Sequence, residues 1–107
     1  MKNINIALLG FGTVGSGVAE TIKRNSDIIK ERLGVHLLIK YVLVREVNKY
    51  TKFPVLEDIH LTDNFSEIIE DESLDIIVEV MGGIHPSYTY IKEAFQKGKH
   101  VVTANKD

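Results

Sequence analysis

Apolar positions along this chain recur with two different periods. Ile4-Asn5-Ile6-Ala7-Leu8-Leu9 is apolar at nearly every position, as expected of a strand buried on both faces of a parallel sheet. From Thr13 to about Leu33 the spacing becomes helical, with Val14, Val18 and Ile22, then Ile28, Ile29 and Leu33, on one face. Asn25-Ser26-Asp27 breaks that stretch with poor helix formers, which predicts a kink or two consecutive helices, and Gly34 is a suitable residue to end it. Val35 to Val44 is rich in β-branched and aliphatic residues and reads as a second strand. Arg45 to Pro54 reads as a polar connection. A short edge strand follows at His60-Leu61-Thr62, and Asp63 or Asn64 can cap a short helix from Phe65 to Asp71. Asp75 to Val80 reads as a buried central strand. A last helix begins at Pro86, with Ile91, Ala94 and Phe95 as its apolar face, and ends at Gly98. His100 to Thr103 is the final strand.

Strands that alternate with helices predict an α/β domain, a doubly wound parallel sheet of about five strands with right-handed crossovers, spanning residues 1–107 as one unit. In the usual 3-2-1-4-5 order, the first strand and the Ile76–Val80 strand are neighbours at the point where the winding reverses. A ligand there meets the carboxyl ends of both. The chain stops directly after its last strand with no closing helix, an ending that suits part of a longer chain.

The first strand runs into Gly10-Phe11-Gly12-Thr13-Val14-Gly15, three glycines spaced G-x-G-x-x-G between a strand and a helix. That arrangement suits the pyrophosphate of a dinucleotide. Gly10 permits the tight turn, Gly12 lets the backbone approach phosphate oxygens, and Gly15 lets the helix pack on the sheet. The helix start at Thr13 turns its unbonded N–H groups and positive dipole end toward the anion.

Composition narrows the partners. The 107 residues are 44% hydrophobic and carry a formal net charge of −2, so there is no electrostatic case for nucleic acid or an anionic membrane. The N-terminal apolar run is too short for a signal peptide or a membrane span. Cysteine is absent, which removes disulfides and thiolate metal sites and fits a reducing, cytoplasmic setting. No metal ligands are assigned.

Three further places carry candidate chemistry. After the second strand, Val44-Arg45-Glu46 stands where adenosine ribose is read. Arg45 suits the 2′-phosphate of NADP and Glu46 suits the hydroxyls of NAD, with Lys49 and Lys52 nearby; the reading leans to NADP through Arg45, with dual use open. Glu79-Val80-Met81-Gly82-Gly83 sets a carboxylate inside an apolar strand, favoured as a core acid satisfied by hydrogen bonds over one standing at the cleft, and two glycines that either let backbone pass near the nicotinamide or form a plain turn before the helix at Pro86. Thr103-Ala104-Asn105-Lys106 sets a lysine at the carboxyl end of the last strand, able to bind a carboxylate or donate to a reacting oxygen.

Gly-Phe-Gly-Thr-Val-Gly-Ser-Gly at 10–17, Glu-Val-Met-Gly-Gly at 79–83 and Gly-Lys-His-Val-Val-Thr-Ala-Asn-Lys at 98–106 together resemble homoserine dehydrogenase. The resemblance covers essentially the whole chain, with Val44-Arg45 in place, and implies a Rossmann-like NAD(P)-binding portion. That family reduces aspartate 4-semialdehyde to homoserine, on the route to threonine, methionine and isoleucine. By resemblance, Gly10, Gly12, Thr13, Val14 and Gly15 line the cofactor, and Arg45 meets the adenosine phosphate. Gly82, Thr103 and Asn105 lie at the nicotinamide end, and Lys106 stands as the catalytic lysine between cofactor and substrate. It further implies a homo-oligomeric full-length enzyme, with a substrate-binding and dimerisation region beyond Asp107 and negligible catalysis by this portion alone. The competing readings are a stand-alone nucleotide-sensing module and another amino-acid-biosynthesis reductase. The Thr103–Lys106 motif argues against the first and the Glu79–Gly83 motif against the second.

Overall fold

The computed structural model describes residues 2–81 and 87–103. Five strands, β1 (Lys2–Leu9), β2 (Val35–Leu43), β3 (His60–Thr62), β4 (Ile76–Glu79) and β5 (His100–Thr103), form one parallel sheet in the order β3-β2-β1-β4-β5. That is the expected order, with β1 and β4 paired at the reversal. Helices α1 (Thr13–Arg24), α2 (Ser26–Leu33), α3 (Phe65–Ile69) and α4 (Ser87–Gln96) carry the crossovers.

The two-residue period of β1 sorts its side chains onto two cores. Ile6 and Leu8 join Ala19, Ile39, Val42, Leu56 and Ile59 on the α1 face. Ala7 and Leu9 join Leu43, Phe65, Ile68, Leu74, Ile77 and Ala94 on the α3–α4 face. Leu8 and Leu9 are both fully buried, a stabilisation of about 1.5–3 kcal/mol for each side chain. A near-continuous apolar run is therefore what a central strand requires.

The long helical stretch resolves into two helices at Asn25. Its backbone N–H and its Nδ2 both donate to Thr21 O, at 3.1 and 2.9 Å, while its own carbonyl accepts from Ile29 N at 2.9 Å. One residue thus closes α1 and opens α2. Gly34, at φ +68°, ends α2 in the left-handed conformation that glycine adopts without strain. Asn64 caps α3 by accepting from Ser66 N at 3.0 Å.

Three expectations about faces require correction. Val18 and Ile22 pack on the core, but Val14, in the first turn of α1, is 54% exposed. Ile28 and Leu33 are exposed as well, and α2 buries no residue fully. In α4, Ala94 and Tyr90 face the sheet, with Tyr90 stacked on Phe65 at 4.2 Å, whereas Phe95 is 63% exposed. The expected helix start at Pro86 lies outside the described residues.

Candidate dinucleotide site

The glycine turn joins β1 to α1 at the carboxyl edge of the sheet. Gly10 has φ +107°, outside the range of L side chains, and its N–H donates to Leu43 O at 2.9 Å. A Cβ on Gly15 would stand 2.6 Å from Gly10 O and 3.2 Å from Val80 Cγ2, so the absence of a side chain lets α1 press against the turn and β4. Gly12 is different: a Cβ there would meet nothing within 4 Å. Its duty is toward open space in front of the helix.

The start of α1 fits an anion. Gly12 is the N-cap and supplies no side-chain acceptor, and the first turn holds no acidic residue. The first intrahelical bond runs from Ser16 N to Gly12 O, at 2.9 Å. The amides of Thr13, Val14 and Gly15 therefore precede the first bonded N–H and are oriented outward at the positive end of the helix dipole. These residues can hold a dinucleotide pyrophosphate.

A cleft of about 480 Å³ opens beside this turn, a volume in the range that takes a small ligand. Gly10 and Phe11 form one wall, Val80 and Met81 another, and Val44, Arg45, Glu46 and Lys49 the third. Arg45 is exposed, and among the described residues no carboxylate pairs with it. Glu46 and Asp63 also line this end, so both signs of charge are available to a ribose or its phosphate.

The connection after β2 is less polar than expected. It folds into two short 3₁₀ turns, Val47–Lys49 and Pro54–Leu56, and packs aromatic rings on the glycine turn. Phe11, a variable position of G-x-G-x-x-G, is buried and meets Tyr50 and Phe53 edge-on, each at 5.7 Å. Lys49 lies 5.8 Å above the Tyr50 ring. Sequence reading passed over this cluster; the Tyr50-x-x-Phe53 spacing, which suits one turn of a tight helix, was the signal.

Next to Val80 and Met81 in the chain, Glu79 ends β4 fully buried. Its Oε2 accepts from Met81 N at 2.8 Å and its Oε1 accepts from the Thr103 hydroxyl at 2.6 Å. This is the hydrogen-bonded core acid favoured from sequence. Thr103 itself is exposed at the end of β5, in register with Glu79.

Of the expected site residues, Gly10 and Arg45 line the cleft. Gly12, Thr13 and Val14 are exposed on the turn leading to it, and Gly15 is buried beneath that turn. Gly82, Asn105 and Lys106 lie outside the described residues. Among the described residues no cluster of His, Asp and Glu is placed to hold a metal, and no helix is long and apolar enough to cross a membrane.

A family model described as homoserine dehydrogenase, NAD binding domain, matches residues 10–107. Homoserine dehydrogenase of Helicobacter pylori (strain ATCC 700392 / 26695) is 43% identical over 105 residues, covering 98% of this chain and 24% of that protein. Homoserine dehydrogenase of Bacillus subtilis (strain 168) is 39% identical over 107 residues, covering 100% of this chain and 24% of that protein. The crystal structure of S. aureus homoserine dehydrogenase at pH 7.5 superposes with a TM-score of 0.94 at 50% identity, covering 100% of this chain and 26% of that one. The chain spans about a quarter of the length of these relatives.

Proposed function

The chain belongs to the homoserine dehydrogenase family, as its NAD-binding domain, and on that premise we propose that residues 1–107 form the dinucleotide-binding half of an enzyme interconverting aspartate 4-semialdehyde and homoserine. The observation that carries the reading is the uncapped first turn of α1, with open space at Gly12, at the head of the cleft. The amides of Thr13, Val14 and Gly15 hold the pyrophosphate there. Arg45 takes the adenosine 2′-phosphate, which makes NADP the preferred cofactor over NAD. Gly82, Thr103 and Asn105 receive the nicotinamide end.

When bound, the reduced cofactor supplies the hydride that adds to the aldehyde carbon. The chain's own residues orient and protonate. The Lys106 ammonium donates a proton to the carbonyl oxygen as it becomes an alkoxide. Residues 1–107 span about a quarter of the length of the relatives, and on this reading substrate positioning falls to the other three quarters of such an enzyme, so residues 1–107 by themselves bind cofactor and turn over negligibly. We place the full-length enzyme in the cytoplasm as a homo-oligomer, the latter checked by its mass in solution.

The test of the reaction is Lys106→Ala in a full-length enzyme carrying this sequence. Loss of one preorganised donor to developing charge lowers kcat/KM for aspartate semialdehyde about 10²–10³-fold, while NADP affinity changes much less. Near-normal turnover in that variant removes Lys106 from the mechanism.

A further inference from the structure

Three consecutive polar residues end β3, and the fold uses the side chains of only two of them. Thr62 is buried, and its hydroxyl donates to Glu67 Oε2 at 2.7 Å while accepting from Asn64 N at 3.0 Å. Asn64 caps α3 through Ser66 N. Asp63, between them, is exposed, and among the described residues no hydrogen bond or ion pair reaches its carboxylate.

The sheet nevertheless fixes where Asp63 stands. Val44 N donates to Thr62 O at 2.9 Å, so the chain leaves β2 and β3 side by side. Asp63 lines the cleft together with Arg45, Glu46 and Lys49. The same four residues, with Val47 and Asn48, line an adjoining hollow of about 620 Å³. The open space therefore runs on from the glycine turn, past the end of β2, to the end of β3.

A dinucleotide held at its pyrophosphate by the start of α1 sends one nucleoside each way along this edge. On the β2 side its ribose meets Arg45 and Glu46, which follow that strand, and its base lies further out. β3 stands two strands from β1, about 10 Å at the usual spacing, a distance within reach of a ribose and its purine. The 6-amino group of adenine donates hydrogen bonds, where guanine presents an oxygen that accepts. An ionised carboxylate only accepts. We propose that Asp63 is a specificity-determining residue that reads the 6-amino group of the adenine, with the hollow beside it receiving the base. Glu46, the other acid here, belongs to the turn directly after β2, where its carbonyl accepts from Lys49 N at 3.1 Å. That places it beside the ribose and leaves the base to Asp63. The inference rests on the dinucleotide reading of the cleft and deepens it.

The experiment is a cycle of four affinities, measured by titration calorimetry on a full-length enzyme carrying this sequence and on its Asp63→Ala variant. The ligands are the tighter-binding of NAD and NADP, and the same dinucleotide with purine in place of adenine, which lacks only the 6-amino group. The unmodified enzyme is expected to favour the adenine form about tenfold, as one hydrogen bond to a charged group warrants. Asp63→Ala should weaken the adenine form by that factor and leave the purine form unchanged, which also reports an intact site. The inference is overturned if the variant keeps the preference, if it weakens both forms alike, or if the unmodified enzyme binds the two forms equally. An unmodified enzyme that binds neither NAD nor NADP overturns the dinucleotide reading as well.

Discussion

At the amino end of the sheet the polar side chains are committed to one another, whereas at the carboxyl end Arg45 and the start of α1 are left open. Ahead of β4 and β5, Asp71 accepts from the Tyr41 hydroxyl at 2.6 Å, from Lys40 Nζ at 2.6 Å, and from both the amide and hydroxyl of Ser73. Lys99 Nζ donates to the carbonyls of Asp71 and Leu74, and Asn5 N donates to Asp75. The one register shift between β1 and β2 falls at Lys40, the residue that reaches Asp71 and Ser73. At the other end, Arg45 has no carboxylate partner among the described residues, and the first turn of α1 has no side-chain cap. Groups satisfied internally hold a fold together; groups left unsatisfied at a cleft rim are those a ligand can use. Glu79 and Thr62 are exceptions at the carboxyl ends of β4 and β3, each with its hydrogen bonds closed inside the protein.

The contrast makes the two ends separable by mutation. The largest effect is expected at Gly12, where φ is −81° and the added side chain meets no protein atom. Gly12→Val should keep the fold and lose dinucleotide affinity about a hundredfold or more, about 2.7 kcal/mol, by filling the pyrophosphate space. Gly15→Ala, three residues along, should instead lower unfolding stability by about 1–3 kcal/mol, because its Cβ would collide with Gly10 O. Urea unfolding beside calorimetric titration distinguishes them, and equal behaviour of the two variants would erase the division of labour within the turn.

Next comes Arg45→Ala, which should weaken NADP by about 1.5–3 kcal/mol and barely alter NAD. Equal losses for both cofactors would take the 2′-phosphate away from Arg45. At the opposite end, Asp71→Asn should cost about 1.5 kcal/mol of stability, kept modest because the Lys40 side chain is 42% exposed, with cofactor affinity untouched.

The smallest effect is a dependence on pH. Burial by itself would raise the Asp71 carboxyl, but hydrogen bonds from Lys40, Ser73 and Tyr41 outweigh it and hold the group well below the usual carboxylate range. A depressed native value means stability that is present above the unfolded value, about 3.9, and lost as pH falls below it. Tyr41 shifts the other way. Its hydrogen bond to Asp71, with burial and the Asp71 charge behind it, pushes its hydroxyl up to about 12. Its contribution is present below about pH 10 and lost as pH rises from there to about 12. Stability of the Asp71→Asn variant should vary less over both windows; an unchanged profile would mean that the amino-end cluster does not titrate as a unit.

The order of elements, the parallel sheet and the glycine turn were all legible in the sequence, because each depends on local spacing. A run of apolar residues marks β1, Gly34 and Gly98 end helices, and G-x-G-x-x-G between a strand and a helix states its own geometry. The faces of the helices were harder. Val14, Leu33 and Phe95 sit at apolar positions of a helical period and yet are exposed, since periodicity says which residues share a face and not how far the sheet beneath extends. The aromatic packing of Phe11 on Tyr50 and Phe53 is legible only in part: the Tyr50-x-x-Phe53 spacing is a local signal, but about forty positions separate that pair from Phe11 and nothing local joins them.

The sequence by itself determined the alternation of strands and helices, the phosphate turn and the motifs that carry the family. Those are properties of neighbours a few residues apart, set by backbone freedom and period. Only the tertiary structure decided which side chains are joined across the chain. It is the β4–β5 register that places Thr103 against Glu79, and a one-residue slip in β2 that accompanies the reach of Lys40 to Asp71. A hydrogen bond a few ångströms long depends on the packing of whole strands, and that packing is a sum over contacts distant in sequence.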